Sequence, residues 1–139
     1  MPNAKDRVII DTNLWISFLL TKDYSKLDSI LSEALLTLLF NQELLEEFIE
    51  VAQRPKFKKY FSKSDLYELL LQIKERAQFV TVHSIVDICR DPKDNYLLSL
   101  AKDGEATHII TGDKDLLDIG VFGKTKILTL TAYLSGKQV

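Results

Sequence analysis

Three aspartates stand where a chain could put them to use. Asp11 ends the β-branched run Val8-Ile9-Ile10, Asp113 follows Ile109-Ile110-Thr111 after one glycine, and Asp94 opens a helical pattern upstream of that second run. In an open parallel sheet the crevice at the carboxyl ends of the strands is where ligands bind, and right-handed crossovers bring all three acids to that edge. Any one of them alone is ordinary, because aspartate at a strand-to-helix junction is what capping predicts; Asp91 reads as a cap and nothing more. As a cluster they repel one another unless a cation or shared protons offset the charge. Oxygen donors with no cysteine or histidine close in sequence suit Mg²⁺ or Mn²⁺ rather than zinc. In phosphodiester hydrolysis such an ion activates a water and steadies the leaving oxygen, so no side chain need be the nucleophile.

Other chemistries find little support. His83 and His108, the two histidines, fall just after and inside strand-like runs and read as structural, which disfavours a two-histidine ribonuclease mechanism. Neither a G-x-S-x-G elbow nor a phosphate-cradling G-x-x-x-x-G-K loop occurs.

The elements that must position the acids follow from periodicity. Arg7 to Ile10 reads as a buried strand, Leu14 to Leu20 and Lys26 to Ala34 as helical, with Thr12 or Asn13 capping the first helix. Leu35 to Phe40 reads as a second strand, and Asn41 caps a helix reaching about Gln53. In that helix Leu44, Leu45, Phe48, Ile49, Val51 and Ala52 share one broad face, with Glu43, Glu46, Glu47 and Glu50 opposite. Arg54-Pro55 ends it. Ser62 or Ser64 starts a helix carrying Leu66, Leu69, Leu70 and Ile73, and Phe79 to Val82 reads as a strand. Asp91-Pro92-Lys93-Asp94 is a helix start with Asp94 at the third helical position, and Gly104 closes that helix. Thr107 to Thr111 is a strand, Leu116 to Ile119 a short helix, Lys126 to Leu130 a last strand and Thr131 to Leu134 a final helical turn. Strands alternating with helices imply an α/β fold with a mainly parallel sheet of four to five strands.

At 139 residues the chain is expected to form one domain, residues 1–139. Its single cysteine, Cys89, fits a reducing compartment, and no apolar run is long enough for a signal peptide or a membrane span, so a cytoplasmic location is expected. A net charge of −2 gives no chain-wide field for nucleic acid. Any polyanion contact must be local, and the candidate is the basic segment from Arg54 through Lys56, Lys58 and Lys59 to Lys63. Phe57, Tyr60 and Phe61 are interleaved there and could stack on unpaired bases. The competing reading is solvated lysines over core aromatics.

The stretch Val8-Ile9-Ile10-Asp11-Thr12-Asn13, Asp94 followed by Tyr96-Leu97-Leu98-Ser99-Leu100-Ala101, and Thr111-Gly112-Asp113-Lys114-Asp115-Leu116 resemble, in order and separation, the three acidic motifs of PIN-domain ribonucleases. Glu43 to Phe48, continuing through Arg54-Pro55-Lys56-Phe57, resembles the branch of that family described as toxins of toxin-antitoxin modules. The resemblance implies a three-layer α/β/α fold and metal-dependent endoribonuclease activity on RNA. It implies Asp11, Glu47, Asp94 and Asp113 as metal-binding acids, with Asp115, Asn13 and Thr111 lining the site. It also implies an antitoxin protein as partner and a homodimer. Glu47 rests on the motif alone, since helical geometry leaves Glu46 and Glu47 flanking the apolar face on opposite sides. Two rivals come from other classes: a catalytically idle PIN-like scaffold that binds RNA or protein, and a phosphatase or receiver using Asp11 as phosphate acceptor. The second usually wants an aspartate where this chain has Asn13.

Overall fold

Val8, Ile9 and Ile10 are wholly buried, which requires cover on both faces of the strand that carries them. The computed structural model, which describes residues 6–22, 28 and 36–136, supplies that cover by placing β1 (Asp6–Ile10) inside a sheet. β2 (Leu36–Phe40) and β4 (His108–Ile110) flank it, both parallel. β3 (Ala77–Phe79) and β6 (Thr125–Leu128) extend the sheet in parallel, and β5 (Val121–Phe122) closes the far edge antiparallel to β6. Among the described residues the order β3-β2-β1-β4-β6-β5 makes six strands, mainly parallel and flanked by helices. The expected four to five strands omitted β5. Its two residues are too few for a period to register, and Gly120 and Gly123, both at positive φ, allow the tight reversal that pairs it.

The helices whose bounds lie among the described residues are α1 (Thr12–Thr21), α2 (Gln42–Ala52), a short α3 (Pro55–Lys58), α4 (Lys63–Arg76), α5 (Asn95–Gly104), a short α6 (Lys114–Leu117) and α7 (Leu130–Gly136). Asn41 caps α2 by accepting from the Leu44 amide at 2.8 Å, as expected. Ser62, rather than Ser64, caps α4 in a reciprocal box with Asp65. Three expectations shift. The strand read at Phe79 to Val82 is seated two residues earlier, because Leu38, Leu39 and Phe40 pair with Ala77, Gln78 and Phe79. Asp94 ends a 3-10 turn, Pro92–Asp94, and becomes the N-cap of α5 rather than its third residue. Gly104 is the last residue of α5, and the left-handed residue after it is Glu105, at φ 54°. Glycine still fits closely at 104: a Cβ there would sit 3.1 Å from Leu39 Cδ1, so the helix end lies directly on the sheet. The helix read at Lys26 to Ala34 lies outside the described residues.

Trp15 locks α1 to the sheet. Its indole N–H donates to Ile10 O at 3.1 Å, and its ring lies 5.6 Å from Phe40 and 6.3 Å from Phe48. This packing fixes α1 against α2, and so fixes where the residues at the start of α1 meet the glutamate face of α2. Among the described residues no helix is long and apolar enough to cross a membrane.

Candidate active site

Asp11 follows β1 directly and its amide still donates to Ile110 O at 3.0 Å, so the acid stands at the carboxyl edge of the central strands. The residue is 6% exposed. Thr111, at the end of β4, donates its hydroxyl to Asp11 Oδ2 at 2.7 Å and accepts from the Asp113 amide at 3.0 Å. One hydroxyl therefore ties the first acid to the loop that carries the third. Burial pushes the Asp11 carboxyl up, the Thr111 hydroxyl pulls against it, and repulsion from Asp113 and Glu47 adds to the rise.

Asp11, not Thr12 or Asn13, is the N-cap of α1, and its side chain makes no capping bond. The Thr12 hydroxyl, not needed as a cap, donates instead to Glu47 Oε2 at 2.7 Å. The same oxygen accepts from the Tyr96 hydroxyl. Burial and the neighbouring glutamate push the Tyr96 phenol up, which keeps it a proton donor. Glu46, one residue earlier, is exposed and accepts from Gln42 on the outer face of α2. Packing thus turns Glu47 toward the aspartates and Glu46 toward solvent.

Asp94 is held between like charges. Burial, a hydrogen bond with Asp113, and repulsion from Asp113, Asp11 and Asp91 together push its carboxyl up to about 7. Among the described residues its Oδ2 is buried with no hydrogen-bond partner. Carboxylate oxygens of Asp91, Asp94 and Asp115 all lie within 4.8 Å of one another, close enough for one cation to touch all three. Asp91 does cap, accepting from the Lys93 amide at 3.1 Å, yet the fold also sets it in this triad. Asp113 caps α6 by accepting from the Asp115 amide at 2.8 Å, and Asp115 pairs with Arg90 at 3.0 Å. Electrostatically the acids are linked in a chain, Asp11 with Glu47 and Asp113, and Asp94 with Asp11, Asp113 and Asp91, while among the described residues the carboxylates within one cation's reach of one another are those of Asp91, Asp94 and Asp115. A buried oxygen of Asp94 with no described partner, an all-oxygen donor set and repulsion on Asp94 from Asp113, Asp11 and Asp91 fit a hard divalent cation.

Other sequence-predicted residues fall outside this chain. Asn13 is exposed on the first turn of α1. The basic segment follows α2 and precedes α4, whose Asp65 pairs at 3.4 Å with Lys22 past the end of α1. There Arg54 pairs with Glu50 at 3.6 Å, and Lys56 and Lys59 lie over the rings of Phe57 and Tyr60. Phe57 and Phe61 pack on the core while Tyr60 is exposed, so the two readings of this segment each hold for some residues. His108 contacts Thr107 and Tyr133, and His83 faces Asp103; neither joins the acids. Sequence reasoning missed the roles of Thr12 and Tyr96. Both lay inside the quoted motifs, but a hydroxyl's partner 35 or 49 residues away leaves no periodic trace.

Comparison with known proteins gives a consistent picture. The sequence profile of the PIN domain matches residues 7–115. An uncharacterized protein of Methanocaldococcus jannaschii is 28% identical over 122 residues, covering 86% of this chain and 78% of its own. No solved structure matches significantly.

Proposed function

Because the chain belongs to the PIN-domain family, whose members are in general metal-dependent nucleases, we propose that it is an endoribonuclease hydrolysing RNA phosphodiester bonds. The observation that carries this reading is Asp94: a carboxyl wedged among Asp11, Asp91 and Asp113, with one buried oxygen lacking any partner among the described residues. Such an arrangement is costly unless a cation completes it. Asp11, Glu47, Asp94 and Asp113 would hold Mg²⁺ or Mn²⁺, with Asp115 and Asp91 as further donors. When bound, the ion supplies an activated water and charge stabilisation at the leaving oxygen.

The chain's own residues do the rest. Thr111 orients Asp11 and the Asp113 loop through one hydroxyl. Thr12 and Tyr96 fix the rotamer of Glu47. Arg54, Lys56, Lys58 and Lys59 would meet phosphates of the RNA strand outside the acids. By the resemblance of the Glu43 to Phe57 region, the protein would act as the toxin of a toxin-antitoxin pair, restrained by an antitoxin and paired as a homodimer.

The test is incubation of mixed-sequence single-stranded RNA with purified protein in Mn²⁺, Mg²⁺ or EDTA, beside an Asp94→Asn variant purified identically. Metal-dependent cutting that disappears in the variant is expected. Cutting that survives both EDTA and the substitution would sink the metal mechanism, and a folded, metal-binding wild type that cuts no RNA would leave a binding scaffold.

A further inference from the structure

A cavity of about 630 Å³ opens beside the acids, bordered by the residue after β2, the first turn of α2 and the chain leaving β3. Tyr96 is the shared wall, lining the cavity while its hydroxyl bonds Glu47 on the site side. Gln42 and Glu43 of α2 face the cavity from one direction, Phe79 and His83 from another. Among the described residues no lysine or arginine lines it. With Glu43 setting a carboxylate in the lining and no Lys or Arg to offset it, the cavity suits the uncharged part of a nucleotide better than the charged part.

Two side chains narrow the occupant further. Phe79 is 44% exposed, and its ring is backed by Phe40 at 5.9 Å, which leaves a fixed aromatic surface available for stacking. Glu43 is exposed and makes no hydrogen bond or ion pair among the described residues. An ionised carboxylate only accepts, so it favours a base that offers adjacent N–H groups. Guanine presents N1–H and N2–H side by side, whereas uracil has a single N–H between two carbonyls that a carboxylate repels.

We propose that this cavity is a nucleobase subsite that takes guanine, Phe79 stacking on the base and Glu43 accepting from its N–H edge. That the base belongs to an RNA strand whose adjacent phosphate reaches the acids rests on the proposed nuclease function; the pocket's chemistry does not. The selectivity comes from Glu43, and the affinity mainly from Phe79.

The full chain, isotope-labelled and in EDTA, is titrated with guanosine, adenosine, cytidine and uridine separately while amide shifts are followed by NMR. Cleavage sites on mixed-sequence RNA with Mn²⁺ are mapped in parallel. Guanosine should shift the amides of 79–85 and 42–43 at concentrations where uridine does not, and cleavage should cluster beside guanine. Phe79→Ala should weaken guanosine binding on the order of tenfold. Glu43→Gln, on an exposed position that leaves the fold intact, should flatten the guanosine preference. Cleavage without guanosine shifts or guanine preference overturns the subsite and leaves the nuclease reading standing. Guanosine shifts that both variants diminish, with no cleavage, support the subsite and overturn the nuclease reading. Equal response to all four nucleosides, or a Glu43→Gln variant with unchanged preference, overturns the subsite.

Discussion

The hydroxyl of Tyr96 donates to Glu47 Oε2, the same oxygen that receives the Thr12 hydroxyl at 2.7 Å. Two donors from different helices converge on one carboxylate oxygen, leaving the other oxygen for a further partner. Outer-shell donors of this kind typically contribute 10- to 100-fold to metal affinity. Tyr96→Phe and Thr12→Val are each expected to weaken Mn²⁺ binding by roughly tenfold, read by calorimetric titration at fixed pH. Unchanged affinity in both would mean that Glu47 takes no part in binding the ion.

Asp94 gives the metal-free protein a pH dependence of unusual sign. Its carboxyl titrates near 7 when folded and near 3.8 when unfolded, so between those values the folded state binds more protons. Stability of the apo protein should therefore fall as pH rises from about 4 to about 7, the reverse of a salt-bridged carboxylate. Thermal melts in EDTA at pH 5 and pH 8 check this, with the higher Tm expected at pH 5. Saturating Mn²⁺ should raise the pH 8 melt more than the pH 5 melt, because the ion competes with the proton for the same oxygens.

Replacing the charge should separate stability from function. Asp94→Asn removes like-charge repulsion among Asp94, Asp113 and Asp11, so the apo variant at pH 8 is expected to melt above wild type. Metal binding and RNA cleavage should both be lost. A variant that melts lower in EDTA would show that the carboxylate contributes more packing than repulsion.

Trp15 is the structural hinge of the site, since it joins Ile10, Phe40 and Phe48 beneath Asp11. Trp15→Ala is expected to cost about 3–5 kcal/mol, measured by urea unfolding followed by circular dichroism. A cost below about 1 kcal/mol would contradict the packing described.

The basic segment makes a salt-dependent prediction. If Lys56 and Lys58 meet phosphates, Lys56→Gln/Lys58→Gln should reduce the slope of log affinity for single-stranded RNA against log salt by roughly 0.7 for each phosphate no longer neutralised. As contacts to phosphates other than the scissile one, they should leave single-turnover cleavage at saturating RNA unchanged. A loss of rate with no change in slope would place them in the chemistry instead.

The run-then-acid patterns at Ile10-Asp11 and Ile110-Thr111-Gly112-Asp113, and the capping sequence before α5, were readable from the chain alone. They are local: strand burial, capping and proline placement depend on residues a few positions apart. The alternation of strands and helices was equally readable, and with it a mainly parallel sheet that gathers the acids at one edge. Packing decided the rest. Glu46 and Glu47 flank the apolar stripe of α2 on opposite sides, and only the seating of α2 on α1 through Trp15 turns one toward Thr12 and the other to solvent. Asp91 looked complete as a cap because capping is local, whereas its proximity to Asp115 depends on how β4 and α5 dock. Periodicity reports which face a residue occupies. The partner across that face, 100 residues away for Thr111 and Asp11, is set by the docking of whole elements.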